Sequence, residues 1–294
     1  MQLILIMLIF CMVLFLYTHI YFHIKTSNYL EVYEIEQPSK DKLEEICDLR
    51  QPIVFNYHND ILFENCVKKS IKNNYGPFDI NIRDLKDMND EEEIYLPITY
   101  KNGINAIEED KNSKYIVENN NDFLEETGLI KCYKNHDSLL RPHMVSNCMY
   151  DYITASKNST SPFRYNINYR NYYLVTEGEV IIKLSPPKSS KYLYENKDYD
   201  NFEFKSLIDP WNVDDKYKTD FDKIKCLELK LTKGNMIHIP SYWWYSIKFM
   251  ENTSICSFKY NSYMSTISNI PRIFMMYLQK QNIKRDILHK FEIR

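Results

Sequence analysis

Glycine is scarce in this chain: 294 residues hold only five, against 25 tyrosines. That scarcity excludes the Gly-rich phosphate loops of nucleotide-binding folds, and neither a nucleophile elbow nor a paired-carboxylate motif is present. The seven cysteines include no CxxC pair and no metal-ligand spacing, which argues against a zinc module or a dithiol redox motif. Cys226 and Cys256 sit inside apolar strand patterns, where buried free thiols are common, so reduced cysteines in a cytosol-like compartment are expected. The net charge of −3 is spread without a basic stripe, which excludes a nucleic-acid footprint. Only one His-x-acid triplet occurs, His58-Asn-Asp60, at a strand-to-helix turn where helix capping accounts for Asp60. His136 and His143 flank Arg141-Pro142 with no carboxylate at ligand spacing, and His238 alternates into a strand between Ile237 and Ile239.

What is present begins with a long hydrophobic run. Leu3 to Phe22 is almost wholly apolar and uncharged, and twenty helical residues span about 30 Å, the hydrocarbon thickness of a bilayer. No basic start and no small-residue cleavage site accompany it, so residues 1–24 read as an uncleaved transmembrane anchor rather than a signal peptide. Lys25 follows the run and no side-chain cation precedes it, which predicts a single-pass protein with its soluble domain in the cytosol.

Beyond the anchor, the apolar fraction of 44% with 26% charged residues fits an ordinary globular chain with a sizeable core. Ser39 to Cys47 reads as a helix, Arg50 to Asn56 as a buried strand, and Asn59 or Asp60 as the cap of a helix reaching about Asn73. Phe78 to Arg83 alternates as a half-buried strand. Residues 86–93 and 101–122 are charged and Asn-rich and read as surface segments, and Asn121 to Gly128 as a short helix. From Val145 onward strand patterns dominate, among them 164–169, 172–176, 180–184, 226–231, 236–239, 246–249 and 254–260. Glu177-Gly178 is a turn between two of these strands, and Ser185-Pro-Pro187 ends the second. Many short strands with regular turns predict a mainly β sandwich or barrel within an α+β chain. Ile270 to Phe291 reads as a helical tail with one apolar face at Ile273, Met276, Tyr277, Ile283, Ile287 and Leu288.

Two segments carry a resemblance. Asn171 to Pro187 is similar to the central hairpin of JmjC and cupin-like proteins, in which an Asn-aromatic-aromatic strand enters a Gly turn and the return strand ends at paired prolines. Lys233 to Phe249 resembles the end of that family's barrel, where an aromatic pair precedes the last iron-binding histidine. Arg50 to Phe55 looks like the entry strand. The resemblance implies a double-stranded β-helix (jelly-roll) at residues 145–268, an N-terminal α/β cap at 25–144 and a C-terminal helical tail at 269–294. The closest overall look is to membrane-anchored cupin-like proteins of large DNA viruses, which would place the chain in a host membrane or virion.

The family's enzymes hold Fe(II) with two histidines and a carboxylate, leaving room for oxygen and 2-oxoglutarate. Carried onto this chain, the resemblance puts the His-x-Asp pair at Tyr165 and Ile167, or at Asn166 and Asn168 one residue out of step. The last histidine falls on Tyr245. Val180 lies where one branch carries the cosubstrate cation, with Lys183 nearby on the opposite parity. All three iron ligands are therefore replaced. Tyr165, Ile167, Asn171, Tyr173, Trp243 and Tyr245 become a candidate pocket, with Tyr242 and Trp244 read either as core or as lining. The expectation is a metal-free module without Fe(II) or 2-oxoglutarate that binds a protein partner or small polar molecule at the barrel mouth, or serves as a scaffold. The membrane would be engaged through residues 3–22, and the tail packs on the barrel or pairs two copies. The rival reading is a divergent Fe(II)/2-oxoglutarate-dependent protein hydroxylase or demethylase.

Overall fold

The computed structural model describes residues 2–85, 95–199 and 201–282, with side chains through 280. The apolar run forms α1 (Gln2–Ile24), a helix with no buried residue that is long and apolar enough to cross a membrane. Its last turn touches the rest of the chain. The His23 ring lies 5.0 Å from that of Tyr169, and its Nε2 is 3.2 Å from Ser262 Oγ. Arg50 donates to the Phe22 carbonyl at 3.4 Å and stacks over the Phe22 ring.

Short helices follow. Ser39 accepts the Lys42 N–H and starts α2 (Lys40–Cys47), and Asn59 accepts the Leu62 N–H and starts α3 (Asp60–Asn65). The helix expected to run on to Asn73 instead breaks at Cys66 and Val67, which leave helical geometry, and restarts as α4 (Lys68–Tyr75). The Glu177 carboxylate accepts the Lys68 N–H at 3.1 Å at the head of this new helix. Next come α5 (Tyr100–Glu109), α6 (Asn121–Glu126) and α7 (Ile130–His136). Later in the chain lie α8 (Asp215–Phe221), α9 (Tyr263–Ser268) and α10 (Ile270–Asn282).

The described strands are β1 (Tyr33–Ile35), β2 (Ile53–Asn56), β3 (Asp79–Asp84), β4 (Leu96–Thr99), β5 (Tyr115–Val117), β6 (Val145–Ala155) and β7 (Arg164–Tyr165). They continue with β8 (Arg170–Glu177), β9 (Glu179–Ser185), β10 (Glu195–Asp198), β11 (Glu203–Ser206), β12 (Leu227–Thr232), β13 (Asn235–His238), β14 (Trp244–Phe249) and β15 (Ser254–Ser262). They form a nine-stranded sheet in the order β1-β2-β13-β8-β15-β6-β5-β3-β4 and a six-stranded sheet in the order β10-β11-β7-β14-β9-β12. The segment 25–144 thus shares one sheet with the strands after Val145, because β2 pairs with β13 and β5 with β6. Residues 101–122 are not a surface segment. They contribute α5 and β5, with Ile104, Ile107, Ile116 and Val117 buried between their charged and amide neighbours.

Strand alternation sorts the core into faces. On β8, Tyr172 and Leu174 pack toward α2 to α7, whereas Tyr173 and Val175 pack with Val180, Ile182, Tyr245 and Ile247 of the other sheet. The expected β8–β9 turn is present, and Gly178 holds φ +72° with no room for a Cβ, which would meet the Asn252 carbonyl oxygen at 2.6 Å. A third cluster gathers Phe163, Tyr165, Phe204 and Trp244 on the outer side of the six-stranded sheet. The tail departs from the expected face: Tyr277 is 59% exposed, while Ile273 and Met276 are half-buried. Ile283, Ile287, Leu288 and Phe291 lie outside the described residues.

Candidate functional site

Between the sheets, the apolar cluster gives way at one end to a cavity of about 470 Å³. Its walls follow from parity. Met149, Asp151 and Ile153 enter from β6, Tyr173 from β8 and Lys259 from β15, each on the face opposite the helix-packed side chains. Asn166, Ile167 and Asn168 enter from the loop after β7, and Thr266, Asn269 and Ile273 from the α9–α10 pair.

The register of β7 decides which side chains meet. Arg164 pairs directly with Tyr245, and Tyr165 with Phe204. Residues directly opposite in a ladder share a face, so Arg164 stands on the Tyr245 side. Tyr165 turns the other way, stacks on Phe204 at 5.0 Å and meets Trp244 edge-on. The placement of Tyr165 and Ile167 beside Tyr245 is therefore corrected, and the register one residue out of step brings Asn166 there. The physical reason is that β7 ends at Tyr165: counting back from β8 assumed an unbroken strand through 169, and the intervening loop shifts the parity. Tyr165 and Ile167 still line the cavity, and the Tyr165 hydroxyl donates to Glu195.

Asn166, Tyr173 and Tyr245 form a closed set. The Asn166 amide donates to the Tyr173 hydroxyl at 2.8 Å and the Tyr245 hydroxyl at 3.1 Å, and the two hydroxyls lie 2.9 Å apart. Burial, reinforced by neighbouring Tyr245, pushes the Tyr173 phenol well above its usual value, so it stays neutral. Beside this set, the Arg164 guanidinium lies 5.8 Å from the Tyr245 ring centre. Arg164 Nη1 donates to Glu118 at 3.2 Å, and Arg83 pairs with the same carboxylate. Glu203 completes the network at 3.5 Å from Arg83 and 3.7 Å from Arg164. Burial alone would raise the Glu118 carboxyl, but Arg164 and Arg83 outweigh it and hold it at about 2.

Asp151 lies on the same wall. Its two oxygens accept the backbone N–H groups of Asn119 at 2.9 Å and Asn120 at 2.8 Å. Burial raises its carboxyl to about 6 against those bonds and the Lys259 charge. None of Arg83, Glu118, Asp151 or Lys259 is singled out by motif. The signal that could have found Glu118 is the apolar run Tyr115-Ile-Val117 leading straight into a carboxylate, a strand pattern with a buried acid at its end.

The remaining candidates pack elsewhere. Trp243 is buried, and its indole N–H donates to the Arg50 carbonyl at 3.1 Å. Asn171 is buried, and its amide donates to the carbonyls of Asn168 and Ile239. Trp244 belongs to the outer cluster and donates to Ser190, and Tyr242 lies under the Arg272 guanidinium. Val180 is inside, whereas Lys183 projects from the opposite face of β9 and donates to the Pro210 carbonyl at 3.0 Å.

The donor chemistry does not suit Fe(II). Among the described residues, no group of three or more His, Cys, Asp or Glu side chains could hold a metal ion. Around Tyr245 the donors are two phenols, an amide and a guanidinium whose positive charge opposes a divalent cation. His238 faces the helix layer, its ring 5.0 Å from Tyr172, and burial with nearby Arg170 and Arg50 drives it well below 6.5.

A family model described as a cupin-like domain matches residues 30–266, most of the chain. A search of curated proteins finds no match.

Proposed function

The chain belongs to the cupin-like domain family, and we propose that it is a member that binds rather than oxidises: a membrane-anchored domain that holds a small polar ligand in the cavity between its sheets. Strand order supports a double-stranded β-helix at its centre. One sheet contains β6-β15-β8-β13 and the other β7-β14-β9-β12, so the chain alternates between them as that fold requires. The observation that carries the reading is the Asn166–Tyr173–Tyr245 hydrogen-bonded set beside Arg164, in which Asn166 and Tyr245 occupy positions where the resemblance, in its shifted register, expects iron ligands.

The lining favours a polar, uncharged occupant. Asn119, Asn147, Asn166, Asn168, Asn201, Asn261 and Asn269 all line the cavity. Several are already bonded within the protein, Asn166 to Tyr173 and Tyr245 and Asn269 to Ser265 among them. The side-chain amides of Asn147 and Asn168 make no hydrogen bond among the described residues, although the Asn168 backbone carbonyl accepts from Asn171 and Ser241. Phe202, Phe204 and Tyr165 add flat apolar surface, so the combination suits a compact ligand carrying hydroxyl or amide groups. The anchor, followed by Lys25, supports a cytosolic orientation. The look of large-virus membrane proteins supports a host membrane or virion as its place.

The test titrates the full chain in detergent micelles with monosaccharides, nucleosides and N-acetyl amino-acid amides. Saturable binding of one class, abolished by Asn168→Leu and Asn147→Leu, is expected. Absence of any binding, together with stoichiometric turnover of 2-oxoglutarate by the iron-loaded protein, would overturn the proposal.

A further inference from the structure

Helix α10 has two unlike faces. Toward the protein, Arg272 covers the Tyr242 ring, Ile273 lines the cavity and the Gln279 side chain accepts the Tyr199 N–H at 3.1 Å. On the other side, Ile270, Phe274, Tyr277 and Leu278 recur at the i, i+4, i+7, i+8 spacing of a single helical stripe, 43–60% exposed. A contiguous stripe of that size at the surface of a folded chain marks a contact.

What covers it follows from where α1 leaves the domain. The last turn of α1 meets α9 at its N-cap: His23 Nε2 lies 3.2 Å from the hydroxyl of Ser262. The next residue, Tyr263, is exposed, and its N–H donates to the carbonyl of Met144, also exposed. A helix of 23 residues reaches about 35 Å, so one spanning a hydrocarbon core of about 30 Å brings His23 to headgroup level. Tyr263 and Met144 are then within a few ångströms of the bilayer surface, at about the depth where tyrosine is enriched. The stripe on α10 begins at Ile270, two residues after α9 ends at Ser268.

We infer that the helix pair α9–α10 is a second, interfacial membrane contact, with Tyr263, Ile270, Phe274, Tyr277 and Leu278 seated in the lipid surface. This inference rests on the reading of α1 as a membrane span. An amphipathic helix in that plane buries its apolar stripe at the boundary between headgroups and acyl chains. Because Thr266, Asn269 and Ile273 of the same pair line the cavity, the contact fixes one cavity wall against the membrane.

The experiment reconstitutes the full chain into phosphatidylcholine–phosphatidylserine vesicles and labels it with an apolar carbene reagent confined to the bilayer, mapping the label by mass spectrometry. Label is expected in α1 and in residues 263–278, and the variant Phe274→Asp/Leu278→Asp should lose the second while keeping the first. Both substituted side chains are exposed, so the fold is retained. Label confined to α1 would overturn the inference and leave the anchor standing. Label in neither segment would overturn both, whereas label in 263–278 alone would support the contact and remove the span. Protection of α10 with cross-linking between copies through Tyr277 would assign the stripe to a second copy and overturn the inference.

Discussion

Glu118 shows how a buried charge is held here. Its carboxylate serves Arg83 and Arg164 together, and removing it leaves two guanidiniums without their shared partner. Breaking a buried pair costs about 3–5 kcal/mol, so Glu118→Gln should lower the unfolding free energy by about that amount in chemical denaturation. Its carboxyl lies at about 2 against an ordinary 4.5, so this stabilisation is complete above pH 4.5 and is lost as pH falls toward 2. Asp151 has the opposite sign. Its folded value of about 6 exceeds the ordinary 3.8, so the folded state takes up a proton that the unfolded chain lacks, and this contribution fades as pH rises from 4 to 6. Measured across that window, the stability of Asp151→Asn relative to the native chain should rise by about 2–3 kcal/mol. A flat difference would show that the carboxyl is not raised. The partners of neither acid were legible beforehand: Arg164 lies 46 residues from Glu118, and the N–H groups of Asn119 and Asn120 lie 32 and 31 residues from Asp151, so only the apolar run before Glu118 left a local trace.

At the scale of elements, periodicity served where strands are long and failed where they are short. Tyr172 to Thr176 is a continuous run buried on both faces, Val180 to Leu184 alternates in burial, and the turn between them was read from Glu177-Gly178. Gly178 is required there, since any Cβ would both adopt φ +72° and strike the Asn252 carbonyl. Gly178→Ala should destabilise the protein by about 2–4 kcal/mol, seen as a lower denaturation midpoint with unchanged slope. β7, with only two residues, carried no period to read, so the parity of Tyr165 and Ile167 came from counting and was displaced by one. The α5–β5 segment was hidden for another reason: its buried isoleucines are spaced among charged and amide residues that dominate the local composition. The tail misled because its apolar positions suggested one face, whereas Tyr277 joins the exposed stripe and Ile273 the inner side.

Across the whole molecule, two sheets and a helix layer form a domain preceded by α1, a helix long and apolar enough to cross a membrane. The mainly β character, the turn at Glu177-Gly178 and the aromatic block were legible because each rests on contiguous residues. The expected hairpin is corrected: β8 pairs with β13 and β15 and β9 with β12 and β14, so the turn carries the chain from one sheet to the other. The cavity was not, since its walls come from segments as distant as Glu118 and Ile273. If α1 spans a membrane as proposed, alkaline carbonate extraction should leave the full chain in the membrane fraction; release into the supernatant would remove the anchor. The central claim is that the ligand positions the resemblance assigns hold no imidazole or carboxylate: Asn166 and Tyr245 stand there instead, joined by the Tyr173 phenol and beside the Arg164 guanidinium. Its most direct test is titration of the full chain with Mn(II), as a spectroscopic stand-in for Fe(II), in the presence of 2-oxoglutarate and followed by electron paramagnetic resonance. The account predicts no saturable binding, with Tyr245→Phe behaving the same. One Mn(II) per chain, lost on Asn166→Ala or Tyr245→Phe, would contradict it.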